Sequence, residues 1–427
     1  MDKYLVTATI RNDGTSRFSP ANRWGVFPSV ALAWRISEEG FLSGASFIDD
    51  LKLRASWGKT GQQDIGDNYY PYIPQYSISK PDSGSNYWFG NNVYQLLAPK
   101  SYNENIKWET TTTYNAGLDF VFLDSRISGS AEYFYKVTTD LLNSIPIPAG
   151  ANFTNQMTSN IGSLTSQGVE FNLDLTPVRT RDFYWNIGLN ATWIDTRIDK
   201  LTAIYNPEYI GVPTGGISTG QGSNIQIHSE GYAPNTFYVF EQVYDENGYP
   251  VQNVFVDQDD NGIIDDKDLV RKHSPRPDVY FGLNMQFQYK SFDLGFNSHG
   301  SIGNYVFNDY DSARCSANYT FSNPASVRNV PKAVYYEYRF KDPVTVQQAK
   351  SDLFLENASF WKLDNITIGY TFQRLFKTDL SARLSFTAQN VATITRYSGP
   401  DPEVSSGIAN NAWPRPRSFV FGLTINY

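Results

Sequence analysis

The chain has 427 residues, a net charge of −8, one cysteine, three histidines, and 15% aromatic against only 18% charged residues. That balance, with no Lys/Arg run, argues against a nucleic-acid partner; the lone Cys315 rules out an internal disulfide, and the scattered histidines offer no cluster for metal or acid–base chemistry. No stretch approaches the about 18 consecutive apolar residues of a transmembrane helix, which leaves a membrane crossed by strands, since barrels place apolar side chains at every second position.

The opening, "MDKYLVTATIRNDG", alternates at once like a strand. It lacks the basic stretch and apolar core of a secretory signal, so either the protein is not exported or its beginning is missing. Period-two alternation predicts strands near residues 3–11, 24–35, 49–60, 108–122 and 126–137. Over 169–176, "VEFNLDLT", Val169, Phe171, Leu173 and Leu175 share one face and Glu170, Asn172 and Asp174 the other. The pattern returns at Trp185, Ile187, Leu189, Ala191 and Trp193, at Val279, Phe281, Leu283, Met285 and Phe287, and near 291–302. It continues at Ile366, Ile368, Tyr370 and Phe372, at Leu384, Phe386 and Ala388, and in the closing "SFVFGLTINY". About a dozen such strands, each roughly 9 to 14 residues long, suit a tilted membrane span better than a soluble sandwich.

The polar face supports this reading. A sandwich would put Lys and Glu outside, whereas here the face holds Asn186, Gly188, Asn190, Thr192, Gly282, Asn284, Gln286, Gly295, Asn297, Gly369 and Thr371, which suit a wet lumen. Aromatic residues gather at expected strand ends, at Tyr184 with Trp185, Trp193, Phe360 with Trp361, and Phe372, as in interfacial girdles. Short links at 122–126, 177–182, 289–291 and 373–379 alternate with long ones at 61–106, 138–165, 194–276, 303–357 and 392–416. Short turns on one side and long loops on the other predict an all-β fold, an antiparallel transmembrane β-barrel with periplasmic turns and extracellular loops. A final strand descending to the periplasm, paired on both edges in a closed barrel, places Tyr427 at the inner interface and explains why the chain ends in an aromatic ring.

Within the long 194–276 link, "DQDDNGIIDDKD" (257–268) matches the spacing D-x-[DN]-x-[DN]-G-x₅-E with Asp268 in the last place. Asp257, Asp259 and Asn261 would donate side-chain oxygens, the Ile263 carbonyl and Asp265 would complete the shell, and hard oxygens at this spacing suit a structural Ca²⁺. "YPVQNVFV" just upstream reads as strand, so a lone calcium loop fits better than a helix pair. An acidic, solvated Asx/Gly turn without an ion accounts for the same residues. Loop aromatics, chiefly Tyr69, Tyr72, Trp88 and Trp413, could stack on sugar rings, or pack loop on loop. "GGISTGQGSN" (215–224) lacks the lysine of a phosphate loop and reads as a flexible or plug-facing loop. Asp401 and Glu403, in "GPDPEV", receive no chemical role, and no nucleophile–base set or carboxylate pair points to an enzyme.

"GVFPSVALAWRISEEGFL", "LKLRASWGKTGQQDIGDNYYPY", "AEYFYKVTTDLL", "NIGSLTSQGVEFNLDLTP" and "YSGPDPEVSSGIANNAWPRPRSFVFGLTINY" resemble, in order, SusC/RagA-type TonB-dependent outer-membrane transporters. The resemblance covers the C-terminal barrel portion of that family, about the last twelve strands of roughly 22. It implies uptake of oligosaccharides or peptides across the outer membrane of a Gram-negative bacterium. It also implies a SusD-like surface lipoprotein as partner and a TonB complex acting through a plug region not visible here. The alternatives are a complete twelve-stranded porin, since an even strand number can close, and a soluble secreted glycan-binding β-protein.

Overall fold

The computed structural model describes residues 3–427 apart from 67–68, 80–85, 148–149, 151, 153, 155, 203–207, 220–222, 317–329, 343, 376–377 and 411–412. Twelve strands form one antiparallel sheet, each paired with the next. They are β1 (Tyr4–Gly14), β2 (Trp24–Arg35), β3 (Ile48–Gln62), β4 (Glu109–Phe122), β5 (Ile127–Thr139) and β6 (Ser163–Arg179), then β7 (Phe183–Lys200), β8 (Val279–Tyr289), β9 (Phe292–Ile302), β10 (Phe360–Phe372), β11 (Ser381–Thr395) and β12 (Ser418–Asn426). Every predicted strand is present.

Register turns the period-two pattern into two opposite faces. One row crosses β7 to β12 as Trp185, Phe287, Leu294, Ile368, Phe386 and Phe421. The row on the other face crosses β6 to β10 as Asp174, Gly188, Asn284, Asn297 and Asn365, with Asn297 donating to Asn365 at 3.2 Å. The apolar row lies open, Phe421 being 81% exposed, a face that in water would be a large unpartnered patch and in lipid is the proper outer surface.

The sheet is open. Among the described residues β1 and β12 each have one partner strand, so the expected pairing of the last strand on both edges is not present within these twelve strands. The girdle reading holds near the short turns, where Trp185 stacks on Phe287 and Tyr370 meets Phe292 and Phe372. It fails at two places. Trp193 sits within β7, which runs on to Lys200, and Phe360 faces inward, buried edge-on against His299.

Short links at 123–126, 180–182, 290–291 and 373–380 lie on one side, with 36–47, which contains two short 3₁₀ turns. The other side carries 15–23, 63–108, 140–162, 201–278, 303–359 and 396–417. The link after β7 therefore begins at 201 rather than 194, because the polar stretch "IDTRIDK" continues the strand past the apolar zone. The long links are folded. Val212–Gly216, Asn224–His228, Thr236–Phe240 and Leu269–Lys272 form a four-stranded sheet inside the 201–278 link. The largest buried cluster joins Ile225, Phe237 and Val239 of that link to Phe307, Phe354 and Tyr338 of 303–359 and Ile408 of 396–417. The apolar core thus lies in the links, which fold as a cap on the long-loop side of the sheet.

Candidate functional site: a polar wall beneath a folded cap

The inward face of the sheet is a wall of amides and hydroxyls crossed by neutralised charges. Lys52 Nζ and Arg54 Nε of β3 reach Asp119 of β4 at 2.8 and 3.0 Å, and Arg54 also pairs with Glu132 of β5. Arg383 of β11 forks onto Asp293 of β9 across the intervening β10. Gly369 makes this possible: a Cβ there would lie 2.3 Å from Asp293 Oδ2. Each of these three cations keeps a carboxylate beside it, while Lys136 of β5, on the same face as Glu132, lies 4.5 Å over the Phe134 ring with no carboxylate partner among the described residues.

Buried polar groups hold the cap's links together. Asp309, almost fully buried, accepts hydrogen bonds from Ser218 N and Oγ of another link and from Ser312 Oγ. Gln348 Nε2 donates to Gln242 Oε1 at 2.7 Å, and Gln226 Nε2 donates to the Ser406 carbonyl at 2.8 Å. Cys315 is fully buried, and burial pushes its thiol up to about 12. It is therefore an unreactive core side chain.

Cap and wall meet at Glu403. Its carboxylate accepts from Lys362 Nζ at 2.6 Å and pairs with Arg415 Nη1 at 2.9 Å and His299 Nε2 at 2.9 Å. The other ring nitrogen of His299 lies 2.7 Å from Asp364, which sits at a β-bulge that re-aims it. Asp401 holds Arg415 Nε at 2.8 Å and accepts from the Glu403 N–H at 3.0 Å. Burial raises the Glu403 carboxyl, but the hydrogen bonds from Lys362 and His299 and the charges of Lys362 and Arg415 outweigh it and hold it below the usual range. Asp401 and Glu403, given no role from sequence, are thus the junction of the cap with β9 and β10. The spacing of "DPE" carries a local signal, an Asx turn, but its partners lie far away in the chain.

A second acidic feature lies in the 303–359 link. Asp311, on the short helix Asp309–Ser312, accepts from Tyr338 Oη at 3.3 Å. Burial and the nearby Glu356 charge raise its carboxyl to about 6. Glu356 itself ties the 396–417 link down, accepting from Ser398 N and Oγ, both at 2.7 Å.

The 257–268 segment folds as a compact loop between the strands Pro250–Phe255 and Leu269–Lys272, in line with the expected strand upstream. Asp257 accepts from Asn261 N and Gly262 N at 3.3 and 2.7 Å, and the Gly262 bond leads in holding its carboxyl below the usual range. Asp268, fully buried, accepts from Gln258 N and Asp265 N at 2.7 and 2.8 Å. One carboxylate oxygen from each of Asp257, Asp259 and Asp268 lies within 4.8 Å of the others. Asp265 is not in that group; it caps a short turn through Lys267 N, and Asn261 Oδ1 accepts from Ile263 N. Of the four carboxylates among the six expected ligands, the structure therefore brings three together.

The candidate aromatics do not converge. Tyr72 packs against the buried cluster of Phe18, Phe27, Ile106 and Trp108. The Arg17 guanidinium lies 5.1 Å over the Tyr69 ring. Trp88, 66% exposed, is at the tip hairpin of Tyr87–Phe89 with Asn92–Tyr94, and Trp413, 84% exposed, lies in a different link. In "GGISTGQGSN" the ends are paired strands of the cap sheet, and 220–222 lie outside the described residues.

Residues 1–391 match the family described as TonB dependent receptor-like, β-barrel. The chain is 45% identical to the TonB-dependent receptor SusC of Bacteroides thetaiotaomicron, over 100% of this chain and 42% of that protein. It is 29% identical to TonB-dependent receptor P3 of Formosa agariphila, over 100% and 44%. The chain thus spans less than half the length of the curated relatives it matches. In fold it is similar to the RagAB peptide transporter, with a TM-score of 0.79 at 22% identity over 99% of this chain and 46% of that one. The same transporter in its open-open state gives a TM-score of 0.78.

Proposed function

Because the chain belongs to the TonB-dependent receptor β-barrel family, we propose that it forms part of the wall and the extracellular cap of an outer-membrane nutrient importer. The single observation that carries this reading is the pairing of opposite rows on one sheet, apolar from Trp185 to Phe421 outward and polar from Asp174 to Asn365 inward. An apolar row belongs against lipid and a polar row against a wet passage. The family is one of receptors and transporters rather than enzymes, and the inward wall binds and guides without reacting. The passenger is an oligosaccharide or a peptide. Energised entry requires a TonB complex acting on a plug region outside these strands, and a SusD-like lipoprotein is the surface partner that the cap faces. Uptake of labelled oligosaccharides and peptides by cells with and without the protein tests this reading; equal uptake of every probe would overturn it.

The 257–268 loop is proposed as a structural Ca²⁺ site. The three clustered carboxylate oxygens favour it, since ligands at about 2.3–2.6 Å from Ca²⁺ place oxygens within 5 Å of one another. The remaining oxygens come from Asn261, the Ile263 carbonyl, Asp265 or water after small rotations. Added Ca²⁺ is expected to slow hydrogen exchange in 257–268, and no change at millimolar Ca²⁺ would leave the loop an ion-free Asx turn.

A further inference from the structure

We propose that His299 is a proton-operated latch: with both ring nitrogens protonated it pins the 396–417 link of the cap to the inward wall, and loss of one proton loosens the pin. The proposal goes beyond the importer reading and holds whatever the passage carries.

The geometry selects one protonation state. His299 Nδ1 lies 2.7 Å from Asp364 Oδ2 of β10, and Nε2 lies 2.9 Å from Glu403 Oε1 of the link. An ionised carboxylate only accepts, whereas a neutral imidazole has a single N–H and a lone pair on its other nitrogen. A neutral ring therefore satisfies one of the two carboxylates and sets its lone pair against the other. Protonating a carboxylate instead is the poorer solution, because an imidazole is the more basic group by about two to three pH units. The balance of charge agrees. Asp364, Asp401 and Glu403 meet two cations, Lys362 and Arg415, and the imidazolium supplies the third.

The fold holds the ring for this contact. His299 pairs with Lys362 in register, and Asp364 is the unpaired residue of the β10 bulge, between Leu363 and Asn365. Phe360 stands edge-on to the ring at 5.4 Å. On the other flank β8 presents Gly282 opposite His299, with Tyr280 on the same face. The charged groups facing the ring are thus Asp364 and Lys362 from β10 and Glu403 from the link, with Arg415 and Asp401 behind Glu403. The His299 side chain is 39% exposed, so its proton exchanges with water.

The link has two kinds of anchor. Ile408 is buried in the largest cluster and Ala409 in another, and neither contact depends on charge. Glu403 is held to the wall by Lys362 and His299. The latch needs a bound proton, so it is fully closed below the imidazole titration and is lost as the pH rises through it. Above that range the apolar anchors stay in place and the stretch around Glu403 loosens.

The test is amide hydrogen exchange of 401–407 in the intact protein in a bilayer, corrected for intrinsic rates, at about pH 5.5 and about pH 9, on either side of the range in which imidazoles titrate. Every form carries Asp311→Asn, which removes the carboxyl raised to about 6 in the neighbouring link. The parent is expected to be less protected at the higher pH by about tenfold, the protection that one pH unit of linkage supplies. Asp364→Asn should stay protected at both, because its amide can donate to the ring's lone pair while the neutral ring's one N–H reaches Glu403. His299→Gln, which carries no charge at either pH, should be weakly protected at both. Equal protection of the parent at the two pH values would overturn the latch, as would a loss at high pH that either variant leaves unchanged. If one variant fails to fold, the other decides.

Discussion

Replacing Asp311 by Asn should stabilise the cap near neutral pH and remove a pH dependence. The Asp311 carboxyl is raised from its ordinary 3.8 to about 6, first by burial and then by Glu356. A group whose folded pKa lies above its unfolded value binds its proton more tightly in the fold. Its ionisation therefore costs nothing below about pH 4, begins to cost between about 4 and 6, and costs fully above 6. At about 1.4 kcal/mol per pH unit the full cost is about 3 kcal/mol, with the opposing Tyr338 hydrogen bond to the ionised form already counted. The Asn variant keeps the shape and an acceptor for Tyr338 but carries no charge beside Glu356. The assay is amide hydrogen exchange in 303–359 at pH 5 and 8, corrected for intrinsic rates. Wild type is expected to be less protected at pH 8 than at pH 5, and the variant equally protected at both. A variant that keeps the wild-type pH dependence would refute the assignment to Asp311.

Other expectations follow from the cap and its junction. Phe307→Ala empties a fully buried position in the largest cluster and should cost about 3–5 kcal/mol, seen as rapid proteolysis of the cap while the strands stay protected. Lys362→Met leaves Glu403 with only His299 and the more exposed Arg415, and should loosen the junction by about 3 kcal/mol. Adding Glu403→Gln should recover part of that loss, and a double-mutant cycle showing no coupling would contradict the contact.

The strands were legible in the sequence because each had one face in lipid and one in a wet passage, so the two-residue period was written in every one. The cap was not legible for the same reason. In "TFYVF", Thr236–Phe240, all five residues are buried, so a strand with both faces covered shows no alternation. Its partners, such as Leu269–Lys272 and the clusters with Phe307 and Ile408, lie far along the chain. Likewise Glu403 looked like a loop residue because Lys362 and His299 are brought together beside it only by strand register. The 257–268 spacing was legible, since its turn geometry is local, and Asp257, Asp259 and Asp268 do converge. The aromatics stayed open because a ring in a loop reads alike whether it packs inward, as Tyr72 does, or stands exposed, as Trp88 does.

The most direct test of the central claim is residue-by-residue accessibility in a lipid bilayer. Single cysteines would be placed at neighbouring positions, Gln286 and Phe287, Thr367 and Ile368, Ser385 and Phe386, in a Cys315→Ala background. Positions 286, 367 and 385 should react with a water-soluble thiol reagent, while 287, 368 and 386 should be shielded from it, and a fluorophore attached there through an apolar maleimide should be quenched by brominated lipid. Equal aqueous reactivity at both members of each pair would contradict a sheet with one face in the membrane.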